Sequence, residues 1–219
     1  MAPTLVNVAV GVLLGVALLG VAFDRRSIAI VGLAAALPDL DAALSLLVPG
    51  ATNAAFHSAL LAAVVGGVLY WDTEHRETSW LRKRYGFYGV RVTWVAFASF
   101  VVAGITLDLF TSVGVALLYP LVDRYYAVSG RLVLSSQEGV VQTYLDLGEG
   151  WLALETTGRP STHHVETWVN PAPEGVNPTD SERRLRLVES GWQLVVVLTA
   201  LAAVPAKYAL EGAHDGGER

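Results

Sequence analysis

Four ionisable side chains lie inside long apolar runs of the sequence. Asp39 and Asp41 follow Pro38 within the run LAAALPDLDAALSLLVP, and His57 and Asp108 lie in two further runs. An ionisable residue within a membrane-spanning segment is costly, and by default it marks a functional site that faces the interior of a helical bundle. Three carboxylates and one imidazole suit a divalent cation such as Zn, Mn or Mg better than a soft metal. The residue types therefore predict a metal site built from Asp39, Asp41, His57 and Asp108.

The spacing of the first two carboxylates raises a geometric difficulty. Residues two apart on a regular α-helix point about 200° apart. Pro38 removes a backbone hydrogen bond and can break the helix, and a broken helix lining a polar cavity would let both carboxylates converge. Alternatively, one carboxylate binds the metal while the other caps a backbone amide or orients a ligand. A further interpretation is that these buried residues only hold helices together or form a proton pathway.

The elements that must position these residues are membrane-spanning helices. The chain has 219 residues, of which 53% are hydrophobic and 16% charged, and its mean hydropathy is +0.46. The first apolar run has no basic segment before it, so we interpret it as a membrane helix and not as a signal peptide. We predict a mainly α fold, an integral membrane helical bundle of about five transmembrane helices with a small β-rich extracytoplasmic insertion. The five runs are 4–23, 27–48, 54–71, 92–110 and 191–210.

Basic residues predict the orientation of these helices. Arg25 and Arg26 lie in the turn after the first run, and five more basic residues lie in the loop 72–91. The positive-inside rule places both segments on the cytoplasmic side. We therefore predict a multi-pass plasma-membrane protein with its N-terminus outside and its C-terminus in the cytoplasm. In this topology the four ionisable residues lie at a similar depth, near the outer ends of their helices.

The segment 121–190 differs from the apolar runs on either side of it. It contains ten acidic residues against six Arg and is punctuated by Pro and Gly. Its stretches 131–136, 140–147, 151–157 and 163–169 have the length and β-rich content of short strands. The predicted domains are therefore a helical membrane region at 1–120, an extracytoplasmic β-rich domain at 121–190, a final transmembrane helix at 191–210 and a polar cytoplasmic tail at 211–219.

Composition also excludes several function classes. The chain has no Cys, which rules out disulfides and thiolate metal sites, and it has no basic, aromatic stripe of the kind that binds nucleic acid. Its acidic excess, with a net charge of −5 and few Lys, is typical of halophilic archaea. His163, His164 and Glu166 form a further polar group, but an adjacent His pair in a polar loop is usually solvated.

Three motifs resemble those of the membrane-bound metal-dependent hydrolases, also called the LexA-binding, inner-membrane-associated hydrolase family. They are PDLDAAL (38–44), FHSALL (56–61) and DLFTSVGVALLYP (108–120). The resemblance covers residues 1–120 and implies a membrane-embedded hydrolase region with a metal cofactor. Carried over residue by residue, it retains Asp39, Asp41, His57, Ser58, Asp108 and Thr111.

Other positions depart from the family pattern. Asn7 stands where the family has His, in NVAVG, and Gly104 stands where it has the His that precedes Asp108. Thr52, Asn53 and Ala54 replace the family's His-Arg-Gly. Since lost imidazoles weaken zinc binding, these departures shift the expected preference toward harder ions.

Two function classes follow from this pattern. The first is a membrane-bound metal-dependent hydrolase that acts on a phosphoester or lipid-like ester, with Asp41, Ser58 and Thr111 as catalytic residues beside the metal ligands. Its partners are the lipid bilayer and a small-molecule or lipid-like substrate, without nucleic acid. The second is a catalytically inactive family member that acts as a membrane protein and binds an envelope partner through residues 121–190. An ion transporter is disfavoured because the chain shows no inverted repeat.

Overall fold

The computed structural model describes residues 2–130, 132–137, 139–142, 154–171, 183 and 185–217. The chain divides into two compact units, each assembled from segments that are distant in sequence. The helical unit comprises residues 3–38, 61–104 and 186–219, and the mixed unit comprises residues 1–2, 39–60 and 105–185. The described helices are α1 Thr4–Leu18, α2 Arg25–Ala36, α3 Asp41–Leu44, α4 Ala59–Tyr70, α5 Trp80–Ser99, α6 Leu107–Leu109 and α7 Gly191–Gly217.

Small residues let the helices of the helical unit pack closely. A Cβ atom at Gly11 would lie 2.6 Å from Cβ of Ala35 and 2.4 Å from Oγ of Ser99, and one at Gly15 would lie 2.5 Å from Cδ1 of Ile28. Lipid tails are as apolar as the helix surfaces, so helices in a bilayer have no hydrophobic driving force for association. They associate instead through close packing of this kind. Two apolar clusters complete the packing, one centred on Val6 and Val197 and the other on Leu19, Phe23, Val31 and Val95.

Asp72 organises the connection between α4 and α5. The chain leaves α4 through a π-helix at Trp71–His75, and the Asp72 carboxylate accepts hydrogen bonds from the backbone N–H groups of Trp80 and Leu81 at 3.0 and 3.1 Å. It also accepts hydrogen bonds from Ser79 Oγ at 2.8 Å and Arg76 at 2.9 Å. These donors, with the Trp80 N–H first, lower the pKa of Asp72 to about 2. An acid in a chain reversal thus satisfies amides at the start of α5 that have no partner within the helix.

The predicted number of membrane spans is not supported. Among the described residues, Trp80–Leu109 and Gly191–Glu211 are long and apolar enough to cross a membrane, and the bent pair Arg25–Ala36 with Pro38–Leu44 makes a third if it is one span. α1 has 15 residues and α4 has 12, whereas a spanning helix needs about 17–25. The run 54–71 is helical only from Ala59, because residues 52–57 form turns. Apolarity predicts burial in lipid or protein, but it does not show where backbone hydrogen bonding stops.

Two small antiparallel sheets lie among the described residues of the mixed unit. β1 Tyr125–Val128 pairs with β4 Leu154–Gly158, and β2 Leu132–Ser135 pairs with β3 Gly139–Gln142. Three of the four predicted strands thus overlap observed strands, although residues 143–153 lie outside the described residues. The predicted strand at 163–169 is irregular, and β1 was not predicted. Ala54, Ala116, Tyr125 and Val165 form the buried core of this unit; its position outside the cytoplasm stays a prediction.

Candidate metal site

His57 is the centre of a buried polar cluster in the mixed unit. The residue is fully buried, as are Asp41 and Asp108, and the Asp39 side chain is 7% exposed. His57 lies in the turns before α4, where Asn53 adopts the left-handed region with φ 53°. That conformation is uncommon for residues other than Gly, but Asn tolerates it better than most. The structure therefore brings together all four ionisable residues that the apolar runs predicted.

Asp41 contacts one edge of the imidazole. Its Oδ2 lies 2.7 Å from Nδ1 of His57 and also accepts a hydrogen bond from the backbone N–H of Ala54 at 3.2 Å. A carboxylate beside Nδ1 keeps a proton on that nitrogen and leaves the lone pair of Nε2 available to a ligand. This geometry favours the alternative in which one of the two carboxylates orients a ligand.

Asp39 and Asp108 lie at the opposite edge of the ring. Oδ1 of Asp39 is 3.8 Å from Nε2 of His57, and Oδ2 of Asp108 is 3.0 Å from it. One ligand atom from each of these three residues lies within 4.8 Å of the others. Asp39 reaches this position from a 3-10 turn, Pro38–Leu40, that precedes α3. The break at Pro38 thus allows Asp39 and Asp41 to approach one imidazole from two sides.

The N-terminal segment orients Asp108. The backbone N–H of Ala2 donates a hydrogen bond to Oδ1 of Asp108, which leaves Oδ2 directed toward His57. This contact carries no sequence signal, since any residue other than Pro supplies a backbone donor. It is a part of the site that sequence reasoning missed.

Buried polar atoms in the cluster lack hydrogen-bond partners. Among the described residues, Nε2 of His57, Oδ2 of Asp108 and Oδ1 of Asp41 are buried without one. Nε2 of His57 and Oδ2 of Asp108 lie 3.0 Å apart, within ion-pair distance. Buried polar groups are nearly always paired, and uncompensated buried carboxylates are strongly destabilising. A divalent cation would satisfy these atoms and offset the carboxylate charge, so the residues present fit a metal ion.

Ser58 and Thr111 hold the backbone near the cluster. Oγ of Ser58 donates to the carbonyl oxygens of Tyr119 at 2.7 Å and Leu117 at 3.3 Å. Oγ1 of Thr111 donates to the carbonyl oxygen of Asp108 at 2.7 Å. These bonds fasten the segments on either side of the cluster, and a catalytic role for either hydroxyl stays a prediction.

A family model agrees with this assignment of the chain to membrane proteins. The model described as YdjM inner membrane protein matches residues 2–164. The chain belongs to the YdjM family. Together with the candidate spans, this membership supports a location in the plasma membrane. No curated protein and no solved structure matches the chain.

In this YdjM-family chain, Gly104 occupies the position where the motif pattern has His, and its surroundings are tightly packed. A Cβ atom there would lie 2.5 Å from Cγ of Pro38 and 3.1 Å from the carbonyl oxygen of Ala35. The helical unit therefore has no room for an imidazole at this position without a shift of the Pro38 ring. Asn7, the other His replacement on a helix, is fully buried in α1.

Proposed function

We propose that this YdjM-family protein is a membrane-bound, metal-dependent hydrolase whose metal ion is held by Asp39, His57 and Asp108. The observation that carries the proposal is the cluster of their ligand atoms, which all lie within 4.8 Å of one another in a buried position. Two of those atoms, Nε2 of His57 and Oδ2 of Asp108, have no hydrogen-bond partner among the described residues.

The donor set favours a borderline or hard cation. Imidazole nitrogen and carboxylate oxygen are both ligands of zinc, and the two carboxylates also suit Mn and Mg. Donor atoms that bind one ion at about 2.0–2.2 Å must lie within a few ångströms of one another. The distances of 3.0 and 3.8 Å from Nε2 of His57 to the two carboxylates satisfy this requirement.

Each residue has a separate task in the proposed reaction. A bound divalent cation supplies Lewis acidity and activates water at neutral pH. Asp41 keeps the proton on Nδ1 of His57 and fixes the plane of the ring, while Ala2 fixes the rotation of the Asp108 carboxylate. A catalytic role for Asp41 stays a prediction, because its carboxylate lies at the Nδ1 edge of the ring, opposite the proposed ligand atoms.

The location of the cluster supports a membrane-embedded ester as substrate. Asp108 lies at the end of the candidate span Trp80–Leu109, and Asp39 and Asp41 lie in the bent pair that ends at Leu44. A substrate that reaches these residues from the bilayer must itself be amphiphilic. A phosphoester or lipid-like ester meets that condition.

Metal content provides the decisive test. We expect the purified protein to bind one equivalent of Zn or Mn, and Asp108→Asn to lower metal affinity at least tenfold, together with loss of hydrolysis of a model phosphodiester. Glu166→Gln, an exposed carboxylate in the same unit, is the matched control and should retain full occupancy. A wild-type protein that takes up none of Zn, Mn or Mg would contradict the proposal. In that case Asp108→Asn should be neutral or stabilising, because it removes an uncompensated buried charge.

A further inference from the structure

Exposed cationic and aromatic side chains are concentrated at the start of α5, in the helical unit. Residues 82–84 are three consecutive exposed cations. The large rings next to them are 57–72% exposed, namely those of Trp80, Tyr85, Phe87 and Tyr88. Exposed apolar surface that is rimmed by polar groups marks a site of interaction with a protein or a membrane. We call these seven side chains the aromatic–cationic surface.

The three cations of this surface are not paired with any described carboxylate. The sequence has no Asp or Glu between Thr78 and Leu107. Among the described residues of the helical unit, the basic side chains that form ion pairs lie elsewhere, at Arg76, Arg186 and Lys207. The charges of residues 82–84 are therefore available to an external anion.

Aromatic rings hold the two guanidinium groups of the surface in place. Cζ of Arg82 lies over the Phe87 ring, 4.8 Å from its centroid, and Cζ of Arg84 lies over the Tyr85 ring at 5.6 Å. The rings of Tyr85 and Trp80 meet edge to face, with their centroids 6.0 Å apart. A guanidinium group that stacks on a ring still presents N–H groups at its edge, where they match the oxygens of a phosphate. The donors are thus pre-organised for such a group.

The length of the candidate span places this surface at the level of the lipid headgroups. Trp80–Leu109 has 30 residues, which is about 45 Å at about 1.5 Å per residue, whereas the hydrocarbon core is about 30 Å thick. Three cations enter hydrocarbon only at a large cost, so the start of α5 extends beyond the core. Gly86, with φ 69° and ψ −171°, interrupts the helix at this point. Trp and Tyr are enriched at the same depth.

We propose that the aromatic–cationic surface binds anionic phospholipids at the membrane surface. Residues 82–84 donate hydrogen bonds to the phosphate oxygens, and the four rings lie among the glycerol and upper acyl carbons. A phospholipid supplies negative charge and an adjoining apolar layer together, whereas a soluble phosphate would leave the rings in water. The positive-inside rule makes the cytoplasmic leaflet the source of these lipids, and that leaflet is negatively charged. This lipid site does not depend on the metal site.

Native mass spectrometry of the purified, full-length protein in a nonionic detergent tests the lipid site. We expect phosphatidylglycerol to bind saturably and more tightly than phosphatidylcholine, by about tenfold or more, because each cation adds to the attraction for an anionic headgroup. The triple variant Arg82→Gln, Lys83→Gln, Arg84→Gln should lose this preference. Equal binding of the two lipids by the wild type would overturn the proposal, as would an unchanged preference in the triple variant.

Two further variants separate the site from net charge and from misfolding. Arg82→Lys with Arg84→Lys keeps the charge but removes both planar groups, so it provides the test if the triple variant folds poorly. Its affinity for phosphatidylglycerol should fall, and an affinity equal to that of the wild type would overturn the role of the stacked guanidinium groups. Arg186→Gln is the matched control, since this cation is already paired with Glu189 at 3.5 Å. A loss in Arg186→Gln as large as in the triple variant would reduce the effect to net charge and overturn the site.

Soluble anions distinguish a membrane lipid from other partners. Glycerol phosphate carries the phosphate without acyl chains, and it should not displace phosphatidylglycerol at equal concentration. An oligonucleotide should not displace it either. Displacement by the first would assign the surface to soluble phosphates and displacement by the second to nucleic acid, and either result would overturn the lipid. The metal content of the triple variant should equal that of the wild type, so failure of the lipid site leaves the proposed hydrolase untouched.

Discussion

The carboxylate of Asp41 lies 2.7 Å from Nδ1 of His57, on the ring edge opposite the Nε2 atom that faces Asp39 and Asp108. This pairing gives the two ring nitrogens different tasks, because the nitrogen beside Asp41 keeps a proton and the other presents a lone pair. Asp41 is therefore a positioning residue for the proposed metal ligand. The contribution of Asp41 to metal affinity should therefore be separable from that of the ligands themselves.

Asp41→Asn tests this separation. The amide cannot hold the Nδ1 proton as a carboxylate does, so we expect metal affinity to fall by about 10–100-fold, the range found when such supporting groups are removed. Asp39→Asn removes a ligand and should lower affinity further. Competition with a calibrated chelator measures both. Asp24→Asn, which keeps a capping side chain at the start of α2, is the control; equal losses in all three variants would indicate a general folding defect.

Gly104→Ala should destabilise the helical unit. The added methyl group would lie 2.5 Å from the Pro38 ring, and overpacking of this kind costs about 1–3 kcal/mol. Gly67→Ala is the matched control, because a Cβ at Gly67 in α4 meets nothing within 4 Å and Ala is favoured over Gly in a helix by about 0.5–1 kcal/mol. Thermal unfolding in detergent should therefore shift in opposite directions, and a Gly104→Ala variant as stable as the wild type would contradict the packing.

Tyr125→Phe should weaken the mixed unit without changing its shape. The variant leaves the buried carbonyl oxygen of Thr52 without its donor, which costs about 1–3 kcal/mol. Burial raises the pKa of the Tyr125 hydroxyl, so the group remains a donor at all physiological pH values. Tyr126→Phe, at the half-buried next residue of β1, is the control. The prediction fails if denaturant titration finds both variants equally stable.

Asp72 gives the connection before α5 a defined pH dependence. Its folded pKa of about 2 lies below the ordinary value of 3.8, so its stabilising contribution is present above that ordinary value and is lost as the pH falls toward 2. Asp72→Asn should lower the unfolding midpoint at neutral pH, and the difference from the wild type should shrink on acidification. Glu74→Gln, an exposed neighbour, should have no such effect. A difference that is constant with pH would argue against the ionised carboxylate.

Reporter fusions test the orientation. Residues 82–84 are consecutive, exposed cations, and the positive-inside rule places them in the cytoplasm. A fusion at residue 84 should therefore report cytoplasm and one at residue 160 should report the outside. The two sites flank most of the candidate span Trp80–Leu109, so this expectation does not depend on the total number of spans. Two cytoplasmic signals would reverse the assignment of the mixed unit to the outer face.

The convergence of Asp39, Asp41, His57 and Asp108 could be predicted because charge inside an apolar run is costly and needs a compensating partner. The break in the helix at Pro38 could also be predicted, since proline lacks a backbone donor. The number of membrane spans could not be predicted, because hydropathy does not show the turns at 52–57, and α4 begins only after them. The contact of Ala2 with Asp108 could not be predicted, since Ala2 contributes only its backbone N–H. Tyr125 escaped because its role depends on a tertiary contact with Thr52, 73 residues earlier in the chain.

The acidic cluster can assemble only in the order in which the segments of the mixed unit are synthesised. Asp41 and His57 are 16 residues apart, so this pair can form as soon as the first turns emerge from the ribosome. Asp108 follows much later, and at about 5–20 residues per second the ribosome needs several seconds to reach it. During translation His57 is therefore the first partner of Asp41, and the proposed metal site stays incomplete until the segment that carries Asp108 has folded onto the pair.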